Sequence, residues 1–296
     1  MILGIWAAEL LVEMRAAKKI SFVARPIVKF ARLPEECGVS FLTTFVSPAA
    51  ANSMLAEYFN RGFIGKRELF IASLLNSFPA IVMHWRPMLP ILLPLLGFVG
   101  LLYFLLLVLI GLVKTLLIMA AGRALLGKKE TRGVSSCFET PAQKAPPLRE
   151  AAIKSFKSAL PTMKSVCLWT IPAMIASCIL IKAGAFDLLS LHLQGLASRL
   201  PIPPSGIGII SAQFGNLAAA SAVAASLMAS GEISAKGVIL SLLAGNILTS
   251  LFTALRFLFP YYIGIFGLRI GTELLSLSST IRNAIALLFL FALAKM

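Results

Sequence analysis

The sequence has few charged residues and few of the residue types that hold metals or act as nucleophiles. Only 13% of its residues are charged, whereas a soluble domain carries about a quarter. The two histidines, His84 and His192, are far apart and lack neighbouring carboxylates, and the four cysteines include no Cys-x-x-Cys pair. We therefore expect no metal, no cofactor and no catalytic residues, and we do not expect an enzyme.

Two classes of partner are also not expected. The sequence contains neither the P-loop pattern nor the Gly-x-Gly-x-x-Gly fingerprint, which place backbone N–H groups against phosphates, so ATP-driven activity on this chain is not expected. The net charge is +15, and residues 1–165 carry 20 of the 27 lysines and arginines. Basic loops beside apolar spans follow from the positive-inside rule, so this charge does not predict a nucleic-acid partner.

Long apolar runs dominate what is present. Residues 95–119 hold a single charge, Lys114, and residues 274–293 hold only Arg282. About 20 helical residues cross the ~30 Å hydrocarbon layer of a bilayer. The runs predict an all-α, multi-pass protein of the cell membrane. Residues 2–12 do not resemble a secretory signal, because no basic residue precedes them and no clear cleavage site follows.

The chain contains an internal repeat. Residues 1–126 and 170–296 match at a nearly constant offset of 169, and the matches include helix breakers and caps as well as apolar residues. Chance alignment of sequence rich in Ala and Leu is the alternative. The duplication indicates a transporter built from two repeats, with its site where broken helices meet. The matches are Pro34 with Pro203, Phe45 with Phe214, Ser47 with Asn216, residues 49–51 with 218–220, Gly62 with Gly231 and Ile64 with Ile233.

The repeats define three regions: a first membrane repeat at 1–126, a cytoplasmic polar linker with an amphipathic helix at 127–164, and a second membrane repeat at 165–296. Basic residues flank both ends of the apolar segment 39–59, so both flanks should be cytoplasmic and the segment should be a re-entrant hairpin. Each repeat then has an interfacial helix, this hairpin and three spans. Because each repeat crosses the membrane an odd number of times, three, the second repeat has the inverted orientation. The chain then crosses six times in all, with both termini outside. The last two spans are predicted at 68–85 and 89–126, and at 236–257 and 259–295.

Both hairpins should contain a helix break. Ser47, followed by Pro48, and Asn216 are preferred N-cap residues, and proline is favoured at the first helical position. The arms before the breaks have half-membrane length, so two helix N-termini should begin near the midplane and offer free N–H groups to a solute. The alternative is two self-capped, dry tips. The candidate solute-binding residues are Thr43, Thr44, Ser47, Asn52, Asn76, Gln213, Gly215, Asn216, Ser221 and Asn246, where the asparagines Asn52, Asn76 and Asn246 could instead form interhelical hydrogen bonds.

Charges inside the spans are scarce. Lys114 lies close to the basic end at Arg123, so we expect its side chain to snorkel to the interface. Arg269 and Glu273 are four residues apart and should pair on one helix face. Arg282 lies well inside the last span, where a charge is costly and often functional, although its sequence neighbours are polar.

The segments around the breaks resemble the nucleoside-recognition, or Gate, domain family. The likeness is carried by residues 212–220 with 231–234 and by residues 42–51 with 62–64. Gly215 and Asn216 match the family's Gly-Asn turn, whereas Val46 and Ser47 depart from it. The family includes spore maturation proteins and the gate repeats of ferrous-iron transporter B. The resemblance implies transport or gating of a small polar solute, nucleoside-like or an ion.

Three functions remain open at this stage. The first is a transporter or channel-like permease for a small polar solute, with the bilayer as its second partner. The second is a non-transport scaffold or subunit that pairs with another membrane chain or a second copy of itself. The third is a translocase for a lipid headgroup. A polar cavity at the tips would favour the first, and dry tips packed by Phe45 and Phe214 would favour the second. A groove open to lipid would favour the third.

Overall fold

The computed structural model is helical throughout the part of the chain that it describes, and no strand occurs there. The predicted first helix of each repeat, the polar linker and most of both interfacial helices lie outside the described residues. The description covers residues 26–45, 47–126 and 200–295, together with Glu150 and Leu160.

In the described ranges, residues 26–30 are helical, and nine further α-helices and one π-helical segment follow. The first repeat contains α1 (Glu35–Thr43), α2 (Pro48–Asn60), α3 (Lys66–Leu75), α4 (Ser77–Met83) and α5 (Trp85–Leu125). The second contains α6 (Gly206–Gly215), α7 (Leu217–Ala229), α8 (Ala235–Thr253), the π-helical segment Ala254–Leu258 and α9 (Phe259–Lys295).

The predicted helix breaks at Ser47 and Asn216 are confirmed. Ser47 is extended, and its side chain accepts a hydrogen bond from the Ala50 N–H at 3.2 Å. Asn216 is extended as well, and its Oδ1 accepts from the Ala219 N–H at 2.7 Å. Each side chain satisfies one of the N–H groups that a helix start leaves without an intrahelical partner.

Each broken pair of helices folds back on itself. Ser40 Oγ, in α1, donates to the Ala51 carbonyl of α2 at 2.9 Å. Ser205, the N-cap residue of α6, donates to the Glu232 carbonyl just after α7 at 3.3 Å. In the second pair, the start of α6 therefore lies beside the end of α7.

The aligned glycines Gly62 and Gly231 end the second arm of each pair. Both have positive φ, +75° and +76°, a conformation that glycine adopts without steric cost. In the first repeat, Phe63 N–H donates to the Tyr58 carbonyl and Gly62 N–H to the Phe59 carbonyl, which is the Schellman pattern of helix termination. The second repeat forms the same two bonds around Gly231. The repeated glycine therefore corresponds to a repeated stop signal.

A proline makes the two repeats differ after the hairpins. The helix breaks at Asn76, between α3 and α4, because Pro79 has no N–H for the Leu75 carbonyl and its ring clashes with that group. In the second repeat, Thr249 stands 170 positions after Pro79, and α8 continues without interruption. Pro87 similarly follows the end of α4, and Pro260 follows the π-helical segment. A π-bulge is a usual accommodation of a disturbed hydrogen-bond ladder.

Helix boundaries lie close to those predicted between the last two spans, near residues 86–88 and 258, because α5 begins at Trp85 and α9 at Phe259. The helical path also breaks inside these two helices, at Gly97, with φ 53° and ψ −128°, and at Gly267, with φ 78° and ψ 170°. A Cβ on Gly100 would lie 2.6 Å from the Leu92 carbonyl oxygen, although eight residues of straight helix span ~12 Å. Gly271 approaches the Tyr262 carbonyl oxygen in the same way, at 2.7 Å. The chain therefore reverses tightly at each glycine.

The chain forms two compact units that interleave the repeats. Each unit contains the hairpin and following helix of one repeat and the glycine reversal of the other. Unit 1 comprises Met1–Val82, Thr115–Thr170 and Tyr261–Leu274. Unit 2 comprises Met83–Lys114, Ile171–Pro260 and Leu275–Met296. The core of unit 2 includes the fully buried Leu92, Tyr103, Ile209, Leu242 and Leu290.

Two helical stretches, Pro87–Leu125 and Ala235–Lys295, are long and apolar enough to cross a membrane, judged by length and composition. Both expose large apolar side chains: Phe98 and Leu288 are each 70% exposed. Each stretch contains one of the glycine reversals, so each consists of two arms.

Candidate functional site

A buried polar network, called here the asparagine network, joins the first hairpin to α3. Asn76 Nδ2 donates to Ser40 Oγ at 2.7 Å and to Asn52 Oδ1 at 3.4 Å. Ser73 Oγ donates to the same Asn52 oxygen at 3.5 Å, and Asn52 Nδ2 donates to Tyr261 Oη at 2.9 Å. Ser40, Asn52, Ser73 and Asn76 are all at most 5% exposed. The structure thus brings together the predicted residues Asn52 and Asn76.

Two side-chain oxygen atoms in the first repeat have no hydrogen-bond partner among the described residues. They are Asn76 Oδ1 and Ser53 Oγ, and both are buried. A buried polar atom without a partner costs free energy and is rare in native proteins. Asn76 therefore combines two donated hydrogen bonds, which fix its amide, with an oxygen free to accept another.

The other predicted residues of the first tip bond to their own backbone. Thr43 Oγ1 donates to the Val39 carbonyl at 2.8 Å, and Thr44 Oγ1 donates to the Ser40 carbonyl at 2.9 Å. Both bonds are local ones within a helical turn. Ser47 accepts from the Ala50 N–H as a cap. These three side chains do not join the asparagine network, and no solute is needed to satisfy them.

In unit 2, Gln213 and Asn246 come together around the Leu242 carbonyl. With its amide nitrogen facing that carbonyl, Gln213 donates to it at 3.2 Å and accepts from the Asn246 N–H at 3.2 Å. Tyr103 Oη donates to the same carbonyl at 3.3 Å and also interacts with both amide side chains. Gly245 permits this arrangement, because the Gln213 amide fills the space that a Cβ at position 245 would take.

The remaining predicted residues of the second tip lie apart from that cluster. Asn216 and Gly215 are exposed, and Asn216 acts as a helix cap. Ser221 is buried, but its hydroxyl donates to the Leu217 carbonyl one turn earlier at 2.8 Å. The second tip therefore offers one exposed capping amide, whereas the buried Gln213 side chain bonds to the backbone N–H of the half-buried Asn246.

Sequence reasoning missed Ser40, Ser73, Tyr103 and Tyr261. The tyrosines lie near the glycine reversals, far along the chain from the hairpins, so no sequence spacing links them to the asparagines. Ser40 and Ser73 had a usable signal, because both are polar residues within apolar helical segments.

The prediction that Lys114 snorkels to the interface is wrong. Its side chain is buried, at 2% exposure, and Nζ donates to Ser278 Oγ at 2.8 Å. Arg282, on the same helix as Ser278, donates to Asn283 Oδ1 at 3.1 Å. Asn283 Nδ2 in turn donates to Ser250 Oγ at 2.7 Å. Unit 2 therefore places two cations among hydroxyl and amide groups.

The predicted Arg269–Glu273 pair is confirmed at 3.5 Å, but Glu273 has a nearer partner, Lys66, at 2.6 Å.

The tips also carry aromatic contacts: Phe45 packs edge-on against Phe41, with ring centroids 6.0 Å apart, and Phe214 packs against Phe252, with ring centroids 5.2 Å apart. In the described part of the chain, no three His, Cys, Asp or Glu side chains are grouped so that they could hold a metal ion.

No protein-family model and no solved structure matches the chain. Three proteins of Methanocaldococcus jannaschii are similar to it over most of their length. Uncharacterized protein MJ0880 is 27% identical, covering 98% of this chain and 94% of the relative. Uncharacterized protein MJ0871 is 29% identical, covering 89% and 81%. Because Uncharacterized protein MJ1556 is 37% identical over 98% of this chain and 91% of its own length, the chain belongs to the same family as that protein.

Proposed function

We propose that this protein is a multi-pass cell-membrane transporter or channel-like permease for a small polar solute, nucleoside-like or an ion. The observation that carries the proposal is the asparagine network, in which the buried Asn76 Oδ1 has no hydrogen-bond partner among the described residues. A bound solute that donates an N–H or O–H group would satisfy that oxygen.

The surroundings of Asn76 support this role. In hydrocarbon, an unsatisfied polar group costs several kcal/mol, so irregular helix is tolerated there only where it is buried in protein or lines a cavity. The helix breaks beside Asn76, and the first hairpin supplies Asn52 and Ser40 to the same network. Transporters commonly build their sites from such interrupted helices.

The topology belongs to the same proposal. Each broken helix pair is a re-entrant hairpin, and the two repeats have inverted orientation. The matching caps, the matching glycine stops and the resemblance to the Gate domain family support this arrangement.

The proposal is tested with the purified full-length chain. A thermal-shift screen of nucleosides, small anions and divalent cations should find at least one stabilising solute, since a ligand at 100 times its Kd adds ~2.7 kcal/mol of stability. Asn76→Ala should then weaken that solute's affinity about 5- to 150-fold, because a buried hydrogen bond worth ~1–3 kcal/mol is lost. Isothermal titration calorimetry measures the affinity, and flux into proteoliposomes measures transport.

Ser73→Ala is the matched control. Ser73 is as buried as Asn76 and bonds to the same Asn52 oxygen, but its removal leaves Asn76 Oδ1 in place. Both variants should lower the melting temperature, and only Asn76→Ala should lower affinity and flux. Equal affinity in the two variants would mean that the network is structural.

One observation favours the second candidate, a scaffold or subunit without transport activity. The aromatic pairs Phe41–Phe45 and Phe214–Phe252 pack at the tips, and Thr43 and Thr44 satisfy themselves within their own helix. A screen that finds no stabilising solute, together with no flux of any compound in proteoliposomes, would favour this candidate over the transporter.

A further inference from the structure

Unit 2 holds two cations close together. Lys114 Nζ lies 2.8 Å from Ser278 Oγ, and the lysine is 2% exposed. Ser278 and Arg282 are four residues apart on α9, so they share one face of that helix. The Lys114 ammonium therefore lies about one helical turn from the Arg282 guanidinium, and the two charges repel each other.

The described residues of unit 2 supply no carboxylate to this pair. Their single acidic residue is Glu232, which is exposed in the loop after α7 and accepts from Ser230 Oγ at 3.0 Å. In unit 1, by contrast, the half-exposed Lys66 has the Glu273 carboxylate at 2.6 Å. Buried charges are normally paired, and an unpaired charge within a membrane span is costly and often functional.

The two cations also have spare hydrogen-bond donors. Arg282 has five N–H groups, and the described residues offer it one acceptor, Asn283 Oδ1. The Lys114 ammonium has three N–H donors, and the described residues offer it one acceptor, Ser278 Oγ. An oxyanion would offset positive charge at this pair and accept several of these bonds. The planar arginine fork matches the geometry of a carboxylate or a phosphate.

We propose that Lys114 and Arg282 bind an oxyanionic group, a phosphate or a carboxylate, of the molecule that the protein transports. Ser278 and Asn283 orient the two cations, so they are positioning residues. The inference rests on the proposed transport function and narrows its solute to an anion. The anionic group belongs either to a free solute or to a lipid headgroup, and the binding chemistry is the same for both.

The test uses the full-length chain in nanodiscs of phosphatidylcholine. The probes are inorganic phosphate, succinate and nanodiscs doped with phosphatidic acid, and the readouts are melting temperature and titration calorimetry. At least one probe should stabilise the protein. Lys114→Met and Arg282→Met should each weaken its binding about 30-fold or more, as expected when one partner of a buried charge pair is removed. Lys114→Arg should retain binding within about tenfold, because it keeps the charge.

Lys295→Met is the matched control, because Lys295 is an exposed cation at the end of the same helix, α9. It should leave anion binding unchanged. Without anion, Lys114→Met should raise the melting temperature, since it removes a repulsive buried charge. If Lys114 were purely structural, Lys114→Met would instead lower the melting temperature, because the hydrogen bond to Ser278 would be lost.

Each outcome has a consequence. Stabilisation by phosphate or succinate identifies a free solute, and stabilisation by phosphatidic acid alone identifies a lipid headgroup. Failure of all three probes, or unchanged binding in both methionine variants, would overturn the proposal. It would also be overturned if Asp187→Asn created anion binding that the native chain lacks. Asp187, outside the described residues, would then be the counter-ion.

Flux measurements separate this inference from the proposed function. If a neutral solute is transported and Lys114→Met leaves that flux intact, the protein is a transporter and the anion site is rejected. If an anion binds in a manner that depends on Lys114 and Arg282 but no flux occurs, the anion site stands and the transport function is rejected.

Discussion

Ser47 and Asn216 both cap a helix N-terminus, but with different side chains. One offers a hydroxyl and the other an amide oxygen, and each accepts from the backbone N–H three residues later. Their surroundings differ, because Ser47 is half-buried whereas Asn216 is exposed. Ser47 and Asn216 are therefore equivalent as helix caps, but they differ in what else they can bind.

Replacement of either cap should separate stability from binding. Ser47→Ala and Asn216→Ala should each lower the free energy of unfolding by ~1 kcal/mol, the usual cost of a lost N-cap. If the tips contact solute, each should also weaken solute affinity several-fold. Ser234→Ala is the control, since Ser234 caps α8 with a bond of 3.2 Å to the Gly237 N–H outside the hairpin tips. Three variants with equal melting shifts and native affinity would restrict Ser47 and Asn216 to capping.

Residue-scale reasoning from sequence therefore had a clear limit. It identified Asn52 and Asn76, because amides in apolar helices need partners. It could not identify the Tyr261 hydroxyl that binds Asn52, because the two residues are 209 positions apart. It misjudged Lys114, because the distance to the end of a span does not reveal which neighbouring helix offers a hydroxyl.

At the scale of elements, the glycine reversals decide the path of the long helices. Gly97 and Gly267 take backbone angles outside the helical region, and Gly100 and Gly271 let the two arms touch. The span boundaries predicted from the sequence, near residues 86–88 and 258, precede these reversals by about ten residues. Proline is the stronger local signal for a helix end, but it can be accommodated within or at the start of a helix.

Gly100→Ala should be strongly destabilising. Its Cβ would lie 2.6 Å from the Leu92 carbonyl oxygen, so the arms would have to separate, at a cost of about 2 kcal/mol or more. Gly208→Ala, in α6 of the same unit, is the control, because its Cβ would make only ordinary contact with Val223, at 3.9 Å. That variant should be neutral or stabilising by up to ~1 kcal/mol, since Ala favours helix over Gly. Chemical denaturation in detergent measures both, and equal stability of the two variants would argue against a tight reversal at Gly97.

For the whole molecule, the repeats and the compact units have different boundaries. The chain passes from unit 1 to unit 2 between residues 82 and 83, and back between residues 114 and 115. It enters unit 2 again between residues 170 and 171, returns to unit 1 between residues 260 and 261, and enters unit 2 for the last time between residues 274 and 275. Two of these unit boundaries, at residues 82–83 and 260–261, lie next to Pro87 and Pro260, where the helical path is irregular. Because each unit needs segments of both repeats, neither repeat should fold alone into its native unit.

The inverted topology predicts that the loop before α3 is cytoplasmic and the loop before α8 external, because basic residues cluster in the first. Gly65→Cys and Ser234→Cys report on these loops in a cysteine-free background. Both positions are exposed and are the N-caps of aligned helices, and neither change alters the charge. A membrane-impermeant maleimide applied to intact cells should label position 234 only.

The choice of probe positions depends on the structure. Ile64 and Ile233, the adjacent aligned pair, are 3% and 5% exposed, so a cysteine there would escape the reagent on either side. Labelling after permeabilisation serves as the accessibility control for position 65. Labelling of both positions in intact cells, or of both only after permeabilisation, would contradict the inverted repeat.

The sequence by itself determined the helical class and the helix breaks at Ser47 and Asn216. These features depend on composition and on contacts within a few residues, such as a cap oxygen and an N–H three positions later. Only the tertiary structure decided where the long helices reverse, which polar groups meet Asn52, and that Lys114 and Arg282 are neighbours. Those outcomes depend on packing between segments up to 209 residues apart, and no local pattern encodes which distant segment will pack against a given helix face.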